Sequence, residues 1–144
     1  MDKNFNSIAS VLKLHQVLFD NISFIRNGFE KQAGENEGIL GLGVKMNKQD
    51  QLHRVAVSIK YEMPGEYNIE IQMSGFFEIA ESDPQKDILI KENAVAILFP
   101  YLRAELTLLT AQPGVTPVVI PPINIKKLLE SSDNISEMPE KTKG

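Results

Sequence analysis

The side chains able to act as bases, nucleophiles or metal ligands are few and scattered in this sequence. His15 and His53 are its only imidazoles, and each sits in a stretch of strand-like alternation with no second ligand at metal-binding spacing. Both read as surface or edge-strand histidines. Gly41-Leu42-Gly43 has the look of a phosphate cradle. It lacks the third glycine, the following helix and the basic residue that make such a loop bind anions, so the glycines are better read as thinning one face of a strand. Glu35 and Glu37 lie in a polar stretch with no apolar pocket to raise a carboxyl pKa, and read as solvated. Ser74 and Ser82 have no base within sequence reach. Cysteine is absent, which excludes disulfides, thiolate nucleophiles and cysteine-based zinc sites and suits a reducing compartment. No catalytic residue, metal or cofactor is expected.

The elements that would have to position any chemistry fall into a β half and an α half. Residues 11–24 alternate imperfectly, with Leu12, Leu14 and Leu18 on one face and Val17 and Phe19 on the other, and a bend is expected near Asp20-Asn21. The polar, glycine-containing segment Gly28 to Gly38 reads as a loop. Ile39 to Met46 is a second strand, followed by a turn over Asn47 to Asp50. Val55 to Met63 alternates most cleanly, Pro64-Gly65 turns the chain, and Tyr67 to Ile79 repeats the pattern, with Gly75 marking a bulge. Short links at the second and third connections imply an antiparallel sheet with one apolar and one wet face. From Lys86 the period changes to three and four, through Ile90, Ala94, Ile97, Leu98, Tyr101, Leu102, Glu105, Leu108 and Leu109. Pro100 lies inside that stripe, so a kink or a pair of helices is expected. Gln112-Pro113-Gly114 stops the helix, and Val115 to Pro122 must be extended. A short helix over Ile125 to Ser131 follows, with Asn124 as its N-cap. The fold class is α+β: a Greek-key-like four-stranded antiparallel sheet, a long helix, a proline-rich apolar linker and a short second helix.

The chain has 144 residues, enough for one domain with a sizeable core, placed at residues 1–132, with a polar tail at 133–144 expected to be disordered. A net charge of −4 argues against a nucleic-acid footprint, which needs a clustered basic face. The start MDKNFNSIAS lacks the apolar core of a signal peptide, and no apolar run approaches the ~20 residues of a membrane span. A cytoplasmic protein that does not insert into membranes is expected. What stands out is the surplus of apolar surface. One sheet face, a long helix, the linker and a second helix offer more than a two-layer fold of this size hides, and such a surplus is covered by oligomerisation or used for binding.

Four blocks in this order resemble the SecB export-chaperone family: DNISF at residues 20–24, YNIEIQMSGFFEIA at 67–80, NAVAILFPYLRAEL from Asn93, and VTPVVIPPINIKKLL from Val115. The most specific is Leu98-Phe99-Pro100-Tyr101-Leu102-Arg103, and the matches span residues 11 to about 132. The resemblance implies an ATP-independent chaperone without catalysis or cofactor, assembled as a homotetramer (a dimer of dimers). It would hold unfolded preproteins in apolar grooves and pass them to the SecA motor of the translocon. The groove would be lined by Phe77, Ile79, Leu98, Tyr101, Leu106, Leu109, Val118 and Ile120. Glu70 stands at an acidic position that contacts the motor in the family, while Asn21 and Ile25 stand where further carboxylates are expected. A SecB-like chaperone for another client, such as an antitoxin, fits the same residues. Two readings from other classes are a small-molecule- or lipid-binding module and a hot-dog thioesterase. The latter would need Glu92 or Asn93 at the helix start, and Pro100 argues against it.

Overall fold

The computed structural model describes residues 12–29, 38–50, 52–79 and 84–130, and for residues 79 and 84–89 the backbone alone. The tail at 133–144 and most of the Gly28–Gly38 segment lie outside the described residues. Strands β1 (Leu12–Arg26), β2 (Ile39–Gln49), β3 (Leu52–Met63) and β4 (Tyr67–Ile79) are followed by helices α1 (Pro84–Thr110) and α2 (Ile125–Glu130). The sheet order is β1-β4-β3-β2 and every pairing is antiparallel. Three hairpin-connected strands with β1 laid back beside β4 make a Greek key, as the sequence implies.

The central strands carry the inward alternation. Val55, Val57 and Ile59 of β3 and Ile69, Ile71, Met73 and Phe77 of β4 are buried against Ala94, Val95, Leu98, Phe99, Leu102 and Leu106 of α1, and Ile120 of the linker closes one side. Partners in an antiparallel ladder share a face, so the helix side and the outer side of the sheet follow from the register.

That register corrects several sequence-based expectations. The β2–β3 ladder runs on through Asn47↔Arg54, Lys48↔His53 and Gln49↔Leu52, so of the expected turn over Asn47 to Asp50 only Asp50 remains outside the ladder. Asp50 takes a left-handed φ of 57°, a conformation aspartate tolerates, and carries the reversal. The bulge expected at Gly75 is absent, because β4 pairs Val17 on one side and Val55 on the other without a shift there. The irregularities are in β1, between Leu14 and Gln16 and between Phe19 and Asn21. The second falls where the bend was expected. Each extra residue flips the alternation, which puts Leu12 and Leu14 on the helix side with Val17 and Phe19, and Leu18 on the outer side.

The pair of helices does not form: α1 is one helix with Pro100 inside it. The proline withholds the N–H that would bond the Ala96 carbonyl, and both residues are exposed. The apolar stripe splits in two. Ile90, Ala94, Leu98, Leu102 and Leu106 are buried, whereas Ile97, Tyr101 and Leu108 are exposed. The helix end is tied to the linker at Val118, whose N–H donates to Thr110 Oγ1 at 2.8 Å and whose carbonyl accepts from Thr107 Oγ1 at 2.7 Å. Asn124 caps α2 as expected, its Oδ1 accepting from the Lys127 N–H at 3.0 Å.

Candidate functional site

The polar groups that were weighed for chemistry are built into the sheet. Ser74 is buried on the outer face, donates to Asp20 Oδ2 at 2.7 Å and accepts from Arg54 Nε at 2.9 Å. Its hydroxyl proton is thus committed to a carboxylate that bridges β1 to β4, and the serine is a strut. Gly41 and Gly43 lie within β2, paired with Lys60 and Ser58, as strand residues and not a loop. His53 is a correction: expected at the surface or on an edge strand, it is buried in central β3. β3 begins earlier than the alternation suggested, and His53 continues the inward set of Val55 and Val57. Among the described residues no group of three or more His, Cys, Asp or Glu could hold a metal. Ser82, Glu35 and Glu37 lie outside the described residues.

His15 does sit exposed on edge strand β1, where its Nε2 meets Glu78 Oε1 at 2.8 Å. That hydrogen bond is the main reason the Glu78 carboxyl lies below its ordinary value. A lowered carboxyl favours the ionised form in the folded state. Its small stabilising effect is present above the ordinary value near 4.5 and is lost as pH falls through the lowered one. His15→Ala is expected to move the Glu78 midpoint upward, toward 4.5. A carboxyl-carbon NMR titration reads this directly, and an unmoved midpoint would assign the shift to another cause.

The exposed apolar residues define a different kind of surface. On the helix side of β1, Leu14, Phe19 and Ile22 are exposed, because α1 covers the central strands and leaves this edge open. The outer stripe of α1 adds Ile97, Tyr101 and Leu108, and the linker adds Val119, 72% exposed. Of the eight residues named for a groove, Phe77, Leu98 and Leu106 are sealed between sheet and helix in the single chain, and Ile120 is buried beside them. Leu109 and Val118 are half-buried, Tyr101 is exposed, and the Ile79 side chain lies outside the description. The outer face of the sheet holds Glu70, whose carboxylate accepts from Gln72 Nε2 at 3.0 Å. Asn21 and Ile25 share that face, opposite Gln72 and Asn68. A shallow depression of about 500 Å³ there is lined by Ile25, Ile39, Leu40, Lys60, Glu62 and Glu70.

A second cleft, of about 390 Å³, lies where the linker passes the β3–β4 turn, between Tyr61, Met63, Glu66 and Tyr67 and the linker residues Thr116 to Val118. The Tyr67 ring stacks on Phe24 with centroids 4.8 Å apart, and Tyr61 lies 6.3 Å from it. Burial pushes the Tyr67 hydroxyl up to about 12, with the Tyr61 and Glu66 charges adding and Arg26 opposing, and burial also raises Tyr61. Both phenols therefore stay neutral at pH 7. Sequence reasoning passed over this cleft except for Val118. The available signal was a carboxylate in the tight turn Pro64-Gly65-Glu66, directly beside an inward-alternating tyrosine.

No helix among the described residues is long and apolar enough to cross a membrane. Residues 14–135 match the family model described as preprotein translocase subunit SecB. An uncharacterized protein of Methanocaldococcus jannaschii is 37% identical over 70 residues, 48% of this chain and 45% of that protein. The protein-export protein SecB of Saccharophagus degradans is 29% identical over 107 residues, 69% of this chain and 63% of that protein. The matches thus span less than two thirds of the length of these curated relatives. A solved SecB-like chaperone of Mycobacterium tuberculosis, in complex with a peptide from the HigA1 antitoxin, superposes with a TM-score of 0.70 at 11% identity, over 81% of this chain and 94% of that one. At that identity the superposition speaks for the fold.

Proposed function

This chain belongs to the SecB family, and on that premise we propose that it holds unfolded polypeptides on apolar surface without ATP. The family is one of chaperones, not enzymes, and the thioesterase reading drops away. The observation that carries the reading is the exposed apolar set on β1, the outer stripe of α1 and the linker. Burial of apolar surface yields ~25 cal/mol per Å² without directional demands, so one surface accommodates many sequences. Weak contacts repeated over several subunits give avidity while each stays reversible. The proposal includes a cytoplasmic homotetramer, a dimer of dimers, that takes preproteins and hands them to a SecA-type motor through the outer sheet face around Glu70.

Light scattering tests holding and assembly together. The expected particle has about four times the 16.1 kDa mass of the chain. It is also expected to suppress the aggregation of a slowly refolding, unrelated protein at near-stoichiometric ratio. A monomer that leaves aggregation unchanged overturns the reading.

A second client assignment has its own support. Asn21 and Ile25 remove carboxylates from the face that would meet the motor, and the M. tuberculosis structure carries an antitoxin peptide. On that reading the chain protects an aggregation-prone antitoxin. A small-molecule- or lipid-binding module instead requires a defined ligand that survives purification in stoichiometric amount.

A further inference from the structure

We infer that the depression on the outer face of the sheet seats one aromatic side chain of a partner protein, with Gly41 as its floor. This deepens, and rests on, the reading that a motor protein meets the chain on this face.

Gly41 is the residue that needs a reason. It lies inside β2, exposed on the outer face and paired with Lys60. Glycine weakens a strand, and it is kept in one where φ is positive or where another group comes close. Gly75 and Gly28 have such reasons within the chain. A methyl on Gly75 would strike Leu98 and Phe77, and one on Gly28 would lie 2.6 Å from the Gly65 carbonyl oxygen. Gly41 has neither reason. Its φ is not positive, and among the described residues a methyl there would meet one atom, the Lys60 carbonyl oxygen, at 3.9 Å, an ordinary contact. The fold accepts a side chain at this position, so the open space above it serves a group from outside.

The walls say which group. Gly41 lines the depression of about 500 Å³ together with Ile25 and Ile39, which are 60% and 59% exposed. The two isoleucines end a cross-strand row made with Asn68 and Glu62, and the adjoining row is Ser23, Glu70, Lys60 and Gly41. Methyl-rich walls around a floor without a side chain favour a flat apolar group, held by burial. Lys60 decides for an aromatic one. It is exposed beside Gly41, while its other ladder partner, Glu70, accepts from Gln72 Nε2 at 3.0 Å. An ammonium at the rim is attracted to the face of a ring and gains nothing from an aliphatic chain. With Lys60 set between Glu62 and Glu70, both signs of charge line the depression, and a partner surface of one strong sign is not what it complements.

The test uses the full chain, labelled for NMR, with N-acetyltryptophanamide and N-acetylleucinamide as neutral probes. The parent is expected to bind the tryptophan probe about threefold more tightly than the leucine probe, with saturating shifts at Gly41, Ile25 and Ile39. Gly41→Val suits a strand and fills the floor. It is expected to keep the particle mass, to keep or raise the thermal midpoint, and to weaken the tryptophan probe about tenfold. Lys60→Met is expected to bring the two probes level. A lowered midpoint in Gly41→Val would show that the glycine serves the fold, and a changed mass that a second copy covers it; either overturns the inference. So do shifts confined to the helix side of the sheet, or probe binding that survives Gly41→Val. Binding of a SecA-type motor is measured beside these. A motor that binds the parent and Gly41→Val alike removes the partner's ring from the depression. A motor that binds neither strikes the handover reading, and the probes still decide whether the depression takes an aromatic group.

Discussion

Gly75→Ala and Leu98→Ala are each expected to destabilise the fold, and the double variant is expected to be more stable than the sum of the two. A methyl group on Gly75 would lie 2.7 Å from Leu98 Cδ2 and 2.8 Å from Phe77 Cε1, where both neighbours are fully buried. Overpacking of this kind costs ~1–3 kcal/mol. Leu98→Ala removes the side chain that seals this point of the sheet–helix interface and leaves a cavity, at ~2–5 kcal/mol. In the double variant the added methyl enters space that Leu98 has left. The coupling is therefore favourable, in the range of ~0.5–3 kcal/mol for residues in contact. The Phe77 contact remains, so compensation stays partial. Denaturant unfolding of the four proteins measures the cycle. Strict additivity would mean that α1 does not press on β4 at Gly75.

That contact also marks where the sequence stopped being legible. Composition and spacing named Gly75 as special, but a glycine in a strand stands equally for a bulge or for close approach, and only the partner across the layer decides. The same limit governs β1. Its bend near Asp20 could be read, whereas the bulge beside His15 could not, and one unseen bulge reassigns the faces of Leu14, Val17, Leu18 and Phe19. The strongly periodic parts came through. The β3–β4 hairpin, the helical period after Lys86 and the Asn124 cap follow from local rules that the tertiary structure did not override, whereas at Pro100 the helix runs on where the proline rule allowed a break. The groove set shows the deeper difficulty. Phe77, Leu98 and Leu106 are of the types and spacing a binding surface wants, but a core wants the same, and here the single chain seals them. Glu66 was passed over for the opposite reason. A lone carboxylate in a turn is ordinarily solvated, and here the chain leaving β1 bonds onto that turn and the linker passes beside it.

Polar substitution at Tyr101 and Val118 together is expected to weaken the holding of unfolded protein by between tenfold and a thousandfold while the fold survives. The choice follows from burial. Polar groups at Phe77, Leu98 or Leu106 would be buried without partners and would unfold the domain, so a loss of holding there would say nothing about a groove. Tyr101 is exposed on α1 and Val118 is half-buried where the linker meets the helix, so both change with little loss of core. Val118 is held by its backbone N–H and carbonyl, bonds that a serine side chain leaves in place. Each truncation forfeits part of the ~1.5–3 kcal/mol that full burial of such a side chain yields, and two together account for the range. The measurement is the concentration of Tyr101→Ser/Val118→Ser needed to halve the aggregation of a denatured test protein, beside its mass and thermal midpoint. Unchanged mass and midpoint with weakened holding place client contact on this surface. Loss of mass assigns the residues to the subunit interface. Holding equal to the parent's, in an intact particle, removes both from the binding surface and shifts it toward Leu14, Phe19 and Ile22 on the open edge of β1.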